Sequence, residues 1–118
     1  IFSMYCPYCQ KDAPNLNRFF GLIENNPRLK GKIKILGIGA GNSQFEVNTF
    51  KKKYKVVFPL VPDADFHIHK MIGEVRTPYF IVVKLHGTKK PEVVYSRLGV
   101  HENVEAFLDE VIKLANVQ

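Results

Sequence analysis

The sequence predicts an α/β domain: a mixed central sheet with helices on both faces. Three observations carry that expectation. Apolar strand patterns alternate with amphipathic helix patterns from the start of the chain, which calls for parallel strands joined by right-handed crossovers. Later, a strand–turn–strand pattern is followed by a helix, so an antiparallel pair closes the sheet. Finally, 118 residues with 46% hydrophobic content can bury a real core within one domain, residues 1–118.

Ile1-Phe2-Ser3-Met4 reads as the tail of a strand, truncated in this chain, so upstream sequence is expected beyond it. A helix follows over about 7–25. Leu16, Phe19, Phe20 and Ile23 recur at helical spacing and make one apolar face. Pro7 suits the first turn, where a missing N–H costs nothing. Pro14 stands inside the pattern and predicts a kink. Asn25-Asn26-Pro27 stops the helix. Residues 33–38 alternate and then run apolar, a strand buried toward its end, and Gly39-Ala40-Gly41-Asn42 reads as a turn. Ser43 and Glu46 have capping-box spacing and open a helix to about Tyr54, with Val47, Phe50 and Tyr54 inward. Residues 58–61 form a short strand whose Pro59 places it at an edge. A short helix near 65–72 ends at Gly73.

Residues 79–85 are the strongest strand, 86–91 a hairpin loop, and 92–97 the returning strand, broken by Gly99. The last helix, about 102–116, turns Val104, Phe107, Leu108, Val111, Ile112 and Ala115 to one side. Lys113 in its final turn suits the helix dipole. The expected spatial order is 58–61, 33–38, 1–4, 79–85, 92–97.

The formal charge is +6, from 17 Lys and Arg against 11 Asp and Glu. The excess is spread along the chain and reads as a solvated basic surface. No aromatic residues interleave with it as a stacking platform, so no nucleic-acid module is expected. No apolar run approaches the roughly 18 residues of a membrane span, so no stable membrane insertion is expected within this chain.

The chemistry concentrates in Met4-Tyr5-Cys6-Pro7-Tyr8-Cys9, which holds the two cysteines of the chain. A bridge across two intervening residues closes a very short loop and adds little chain-entropy stabilisation, so stapling is a poor reason for the pair. Metal binding and redox chemistry remain. Cys6 lies where a strand hands over to a helix, among unpaired N–H groups that stabilise a thiolate. A free thiol titrates near ~8.5, and such positions lower it to about 7 or below. Cys9, one turn on, is deeper. Cys6 is therefore the expected attacking sulfur and Cys9 the resolving one.

Cys6-Pro7-Tyr8-Cys9 after a strand, Pro14 in the following helix, and Thr77-Pro78 before a strong strand resemble the thioredoxin superfamily over essentially the whole chain. The stretch from Tyr54 to Phe80, with Phe58-Pro59-Leu60 and Asp63, is most similar to its bacterial redoxin-type thiol–disulfide oxidoreductases. The resemblance implies a thioredoxin-like three-layer α/β/α fold and exchange of the Cys6–Cys9 dithiol with protein disulfides, acting as a reductase. It implies a cis peptide at Pro78 facing the cysteines, and no cofactor beyond the Cys6–Cys9 disulfide. Protein substrates and an upstream redox partner follow, as does a monomeric, extracytoplasmic (periplasmic or membrane-anchored) setting, with the cytoplasm as the alternative. In that branch an acidic residue often follows the second cysteine by three, where Asp12 stands. Asp12 is thus either a proton relay for Cys9 or a solvated first-turn carboxylate. Tyr5, Pro7, Tyr8, Thr77, Pro78 and Tyr79 are the expected substrate-facing residues, with plain packing the alternative for Tyr79. The chain departs from the branch in having Tyr5 where Trp is usual. Pro7-Tyr8 is more typical of glutaredoxins. Both departures leave the potential and partner open.

Three rival constellations compete with this reading. Gly37-Ile38-Gly39-Ala40-Gly41-Asn42 approaches a dinucleotide fingerprint but ends on Asn42, with no acidic residue at the right distance on a following strand. His67 and His69, two apart on a short helix, point to different sides, so a metal-binding module using the cysteines is a weaker alternative. A peroxiredoxin-type thiol peroxidase would place its peroxidatic sulfur at Cys9, but Phe2 and Cys6 occupy the places of its supporting proline and hydroxyl residue. Arg76, which could serve as an activating arginine, reads more simply as a surface residue.

Overall fold

A computed structural model describes residues 1–117. In chain order its elements are α1 (Pro7–Glu24), β1 (Gly37–Ala40), α2 (Gln44–Lys53), β2 (Leu60–Asp63), α3 (His67–Met71), β3 (Tyr79–His86), β4 (Lys89–Leu98) and α4 (Val104–Ala115). β1 and β2 pair in parallel, and β3 and β4 pair antiparallel. Between the two ladders lie Ile1 and Phe2. Phe2 bridges Gly39 in parallel, donating to Ile38 O at 2.9 Å and accepting from Ala40 N at 2.8 Å. On the other side, Ile1 and Tyr79 exchange both backbone bonds, at 2.8 and 3.0 Å, the signature of an antiparallel pair. The order β2, β1, residues 1–2, β3, β4 is the expected one. The expected strand at 1–4, however, contracts to a two-residue junction, because Met4 and Tyr5 already turn toward α1.

The other elements keep their order and shift at their edges. The strand expected at 33–38 stands at Gly37–Ala40. Residues 33–36 keep the alternating exposure of a strand, but no ladder runs beside them. The turn expected at Gly39 therefore starts at Gly41. The edge strand moves from 58–61 to Leu60–Asp63, and Pro62, paired only toward β1, is its edge proline. The hairpin loop shrinks to Gly87-Thr88, since β4 begins at Lys89. α1 is continuous through Pro14. Pro7 is in its first turn, Ser43 and Glu46 form the capping box of α2, and Asn103 caps α4.

The core has two lobes, and α1 feeds both. Phe19 and Ile23 pack with Tyr95, Phe107, Leu108 and Val111, where the Phe19 and Phe107 rings stack at 5.0 Å. Cys9 and Ala13 pack with Phe2, Val47, Phe50 and Phe58. The glycines of the 37–41 run serve packing. A Cβ on Gly39 would meet Val47 at 2.9 Å, and one on Gly41 would meet the Phe66 ring at 2.2 Å, at a φ of +68°. A cleft of about 1030 Å³ opens beside residues 1–2, with Ile33, Ile35, Ile81 and Val83 in its wall along with Cys9 and Asp12. No helix among the described residues is long and apolar enough to cross a membrane.

Candidate active site: a thiol pair at the start of α1

The site forms where residues 3–6 leave the sheet and enter α1. Cys6 is the N-cap of that helix, in an extended conformation. Its sulfur accepts the Cys9 N–H at 3.1 Å, the bond a capping serine would normally make. The Cys6 thiol also donates to Thr77 O at 3.6 Å. Thr77-Pro78 thus faces the thiol, and the peptide bond between these two residues is cis. Cys6 is partly exposed, whereas Cys9 is only 3% exposed.

These settings split the two thiols. Partial burial pushes the Cys6 thiol up. Hydrogen bonds with the Cys9 side chain, Thr77 and the backbone N–H groups of Cys9 and Tyr8 outweigh it and hold the thiol below its ordinary value. For Cys9, burial pushes the thiol up to about 12, reinforced by its hydrogen bond to Cys6. One sulfur is therefore accessible and ready to ionise, and the other is enclosed and protonated.

Asp12 lies one turn beyond Cys9 and is fully buried, so the solvated-carboxylate alternative is corrected: the side chain faces inward from α1. Asn15 donates to Oδ1 at 3.0 Å, while Oδ2 has no partner among the described residues. Burial pushes this carboxyl up, against hydrogen bonding from Asn15 and the His101 backbone N–H.

The sequence-predicted contact residues surround Cys6. Tyr5 and Tyr8 are 68% and 64% exposed. Pro7 and Tyr8 line an open hollow with Gln10, Lys11 and Tyr54. Pro78 is buried behind the thiol, and Tyr79 is half-buried with its hydroxyl on Ser96 Oγ at 2.6 Å. His69 bonds Val75 O at 2.7 Å, and Arg76 is exposed.

Sequence reasoning missed the residues that brace this loop. Asn42, 1% exposed, accepts the Met4 N–H at 2.9 Å, and Gln10 donates to Met4 O at 2.8 Å. The Tyr5 hydroxyl donates to Glu46, tying the loop to α2. In sequence Asn42 reads as a turn residue and as the failed end of a glycine motif. A polar side chain directly after a buried strand was the available signal.

Fold, dithiol and facing proline loop together define a class of architecture: the chain has a thioredoxin-like α/β fold. It is similar to the thiol-disulfide oxidoreductase ResA of Halalkalibacterium halodurans, with 26% identity over 115 residues, covering 96% of this chain and 60% of that protein. The chain therefore spans about three fifths of that relative's length. The solved structure of StoA from Bacillus subtilis superposes with a TM-score of 0.68 at 19% identity, covering 93% of this chain and 76% of that one. No family model matches the chain.

Proposed function

We propose that this domain is a thiol–disulfide oxidoreductase that reduces protein disulfides. The observation that carries the reading is the split pair: an accessible Cys6 held below its ordinary thiol value beside a buried Cys9 pushed up to about 12. The Cys6 thiolate attacks one sulfur of a substrate disulfide. A Cys6–substrate disulfide forms, and the other substrate sulfur leaves as a thiolate. Cys9 then loses its proton to Asp12 and attacks Cys6, closing the Cys6–Cys9 disulfide and releasing the second substrate thiolate. Two electrons pass to the substrate, and an upstream dithiol partner returns them.

Tyr5, Pro7, Tyr8 and Tyr79 form the contact surface around the sulfur, and the Thr77-Pro78 backbone receives the substrate chain. The domain works as a monomer and needs no cofactor beyond its own disulfide. The resemblance to the redoxin branch supports an extracytoplasmic setting.

The test is trapping. With an oxidised protein substrate, Cys9→Ser should accumulate a mixed disulfide through Cys6, visible by non-reducing electrophoresis and mass spectrometry. Cys6→Ser should be inert in insulin-disulfide reduction. Turnover by Cys9→Ser would sink the two-cysteine mechanism. Tight stoichiometric metal uptake without insulin reduction would instead favour a metal module, and peroxide consumption a peroxidase.

A further inference from the structure

The glycine run at the end of β1 plays no direct part in the thiol chemistry, yet it is built around one polar side chain. Gly41 stands at a φ of +68°, and the Asn42 N–H beyond it bonds Gly39 O at 3.1 Å. The Asn42 side chain folds back over Gly39. A Cβ on Gly39 would meet Asn42 Oδ1 at 3.0 Å and Asn42 Cβ at 3.2 Å. Residue 39 thus lacks a side chain where Asn42 lies, and Asn42 is buried. A buried carboxamide is tolerated when both of its ends find partners. Here both ends serve the loop that carries Cys6. Oδ1 accepts the Met4 N–H at 2.9 Å, and Nδ2 donates to Ser3 Oγ at 3.4 Å.

The same loop is held from α1. The half-buried Gln10 donates from Nε2 to Met4 O at 2.8 Å, and its backbone N–H bonds Cys6 O at 3.0 Å. The N–H and the carbonyl of Met4 are therefore gripped by two different parts of the fold, the turn after β1 and the first turns of α1. Within the loop, the Tyr5 N–H bonds Ser3 Oγ at 3.3 Å and the Cys6 N–H bonds Ser3 O at 3.1 Å. The backbone donors of residues 4, 5 and 6 are all engaged.

We infer that Asn42 is a positioning residue for Cys6: together with Gln10 it clamps the Met4 backbone, and the clamp keeps the Cys6 sulfur at the start of α1, in reach of the Cys9 N–H and facing Thr77. The sulfur lies 3.1 Å from Cys9 N and 3.6 Å from Thr77 O. Hydrogen bonds weaken steeply as their geometry worsens, so a small displacement of residue 6 is felt at the sulfur. The groups that act on Cys6 ionisation, besides its own partial burial, are Cys9, Thr77 and the backbone of Cys9 and Tyr8. Cys9 is the titratable one among them. Placement of the sulfur therefore governs how readily the thiolate forms. Asn42 acts on the nucleophile through Met4.

This inference deepens the proposed function and rests on it for the use made of the thiolate, but its test needs no disulfide substrate. The reduced chain is alkylated with iodoacetamide across a range of pH, and the Cys6 adduct is quantified by peptide mapping. In Asn42→Ala the midpoint of Cys6 reactivity should rise by about one pH unit, the equivalent of one lost hydrogen bond to a charged acceptor. Gln10→Ala should move it the same way. Asn103→Ala is the control. It removes the cap of α4, where Asn103 Oδ1 accepts the Ala106 N–H at 3.0 Å, so it should lower the urea midpoint and leave the Cys6 profile in place. An unchanged profile in Asn42→Ala overturns the inference. So does an equal shift in Asn103→Ala, which would trace the effect to lost stability alone. Should Asn42→Ala not fold, Gln10→Ala decides by the same criterion. Insulin reduction by the unmodified chain is measured alongside. Its absence would sink the oxidoreductase reading, while the alkylation profiles still decide the role of Asn42.

Discussion

Asp12 places a carboxyl among apolar side chains with only one of its oxygens bonded to another side chain. Its folded value is raised above the unfolded one, so the unfolded state binds fewer protons wherever the two differ. Stability therefore falls as pH rises from the ordinary carboxylate range through the raised folded value, and the penalty is constant above that. Asp12→Asn should stabilise the chain at neutral pH by about 1–3 kcal/mol, the cost of an unsatisfied buried group. The gain should vanish in acid, as urea denaturation at several pH values would show. A gain that persists at acid pH would mean that the charge is not the cause. The same substitution should slow Cys9-dependent release from a mixed disulfide while sparing Cys6. The thiol split makes a second prediction at this scale: iodoacetamide at neutral pH should label Cys6 and leave Cys9 unmodified, as peptide mapping would reveal. At this scale the sequence exposed what lies within one helical turn. Cys6 and Cys9 were legible from spacing, and the candidate carboxyl from the family resemblance. Asn42 was not, because its partner Met4 lies far along the chain and arrives only by packing.

Helix α2 illustrates what an element owes to its local code. The Ser43 hydroxyl accepts the Glu46 N–H at 3.1 Å, and the Glu46 carboxylate accepts the Ser43 N–H at 2.8 Å. Ser43→Ala should cost about 1 kcal/mol, measured by urea unfolding. Because Glu46 also holds the Tyr5 hydroxyl, loss of that reciprocal cap should also loosen the loop before Cys6. A lowered melting point with unchanged Cys6 alkylation would show that α2 and the thiol loop are independent. Helices were legible nearly to the residue, since their caps and apolar stripes are local. Strand edges were not. Ile33 and Ile35 alternate properly with exposed lysines, yet a strand exists only where a neighbour supplies its bonds, and for β1 that begins at Gly37.

Over the whole molecule, the strand order followed from the αβ alternation and the closing hairpin, while the small size of the central junction did not. Among the described residues, Ile1 and Phe2 supply the backbone bonds that stitch β1 to β3. Phe2 is buried against Phe50, with ring centroids 4.7 Å apart. Phe2→Ala should cost about 3–5 kcal/mol in chemical denaturation. A loss below that range would mean that the lobes hold together without this seam. The seam also has a mechanical consequence. Phe2 leads within four residues to Cys6, and Tyr79, bonded to Ile1, directly follows Pro78. Tension on residue 1 would therefore be felt on both sides of the sulfur at once, shifting nucleophile and facing loop as one hinge-linked jaw.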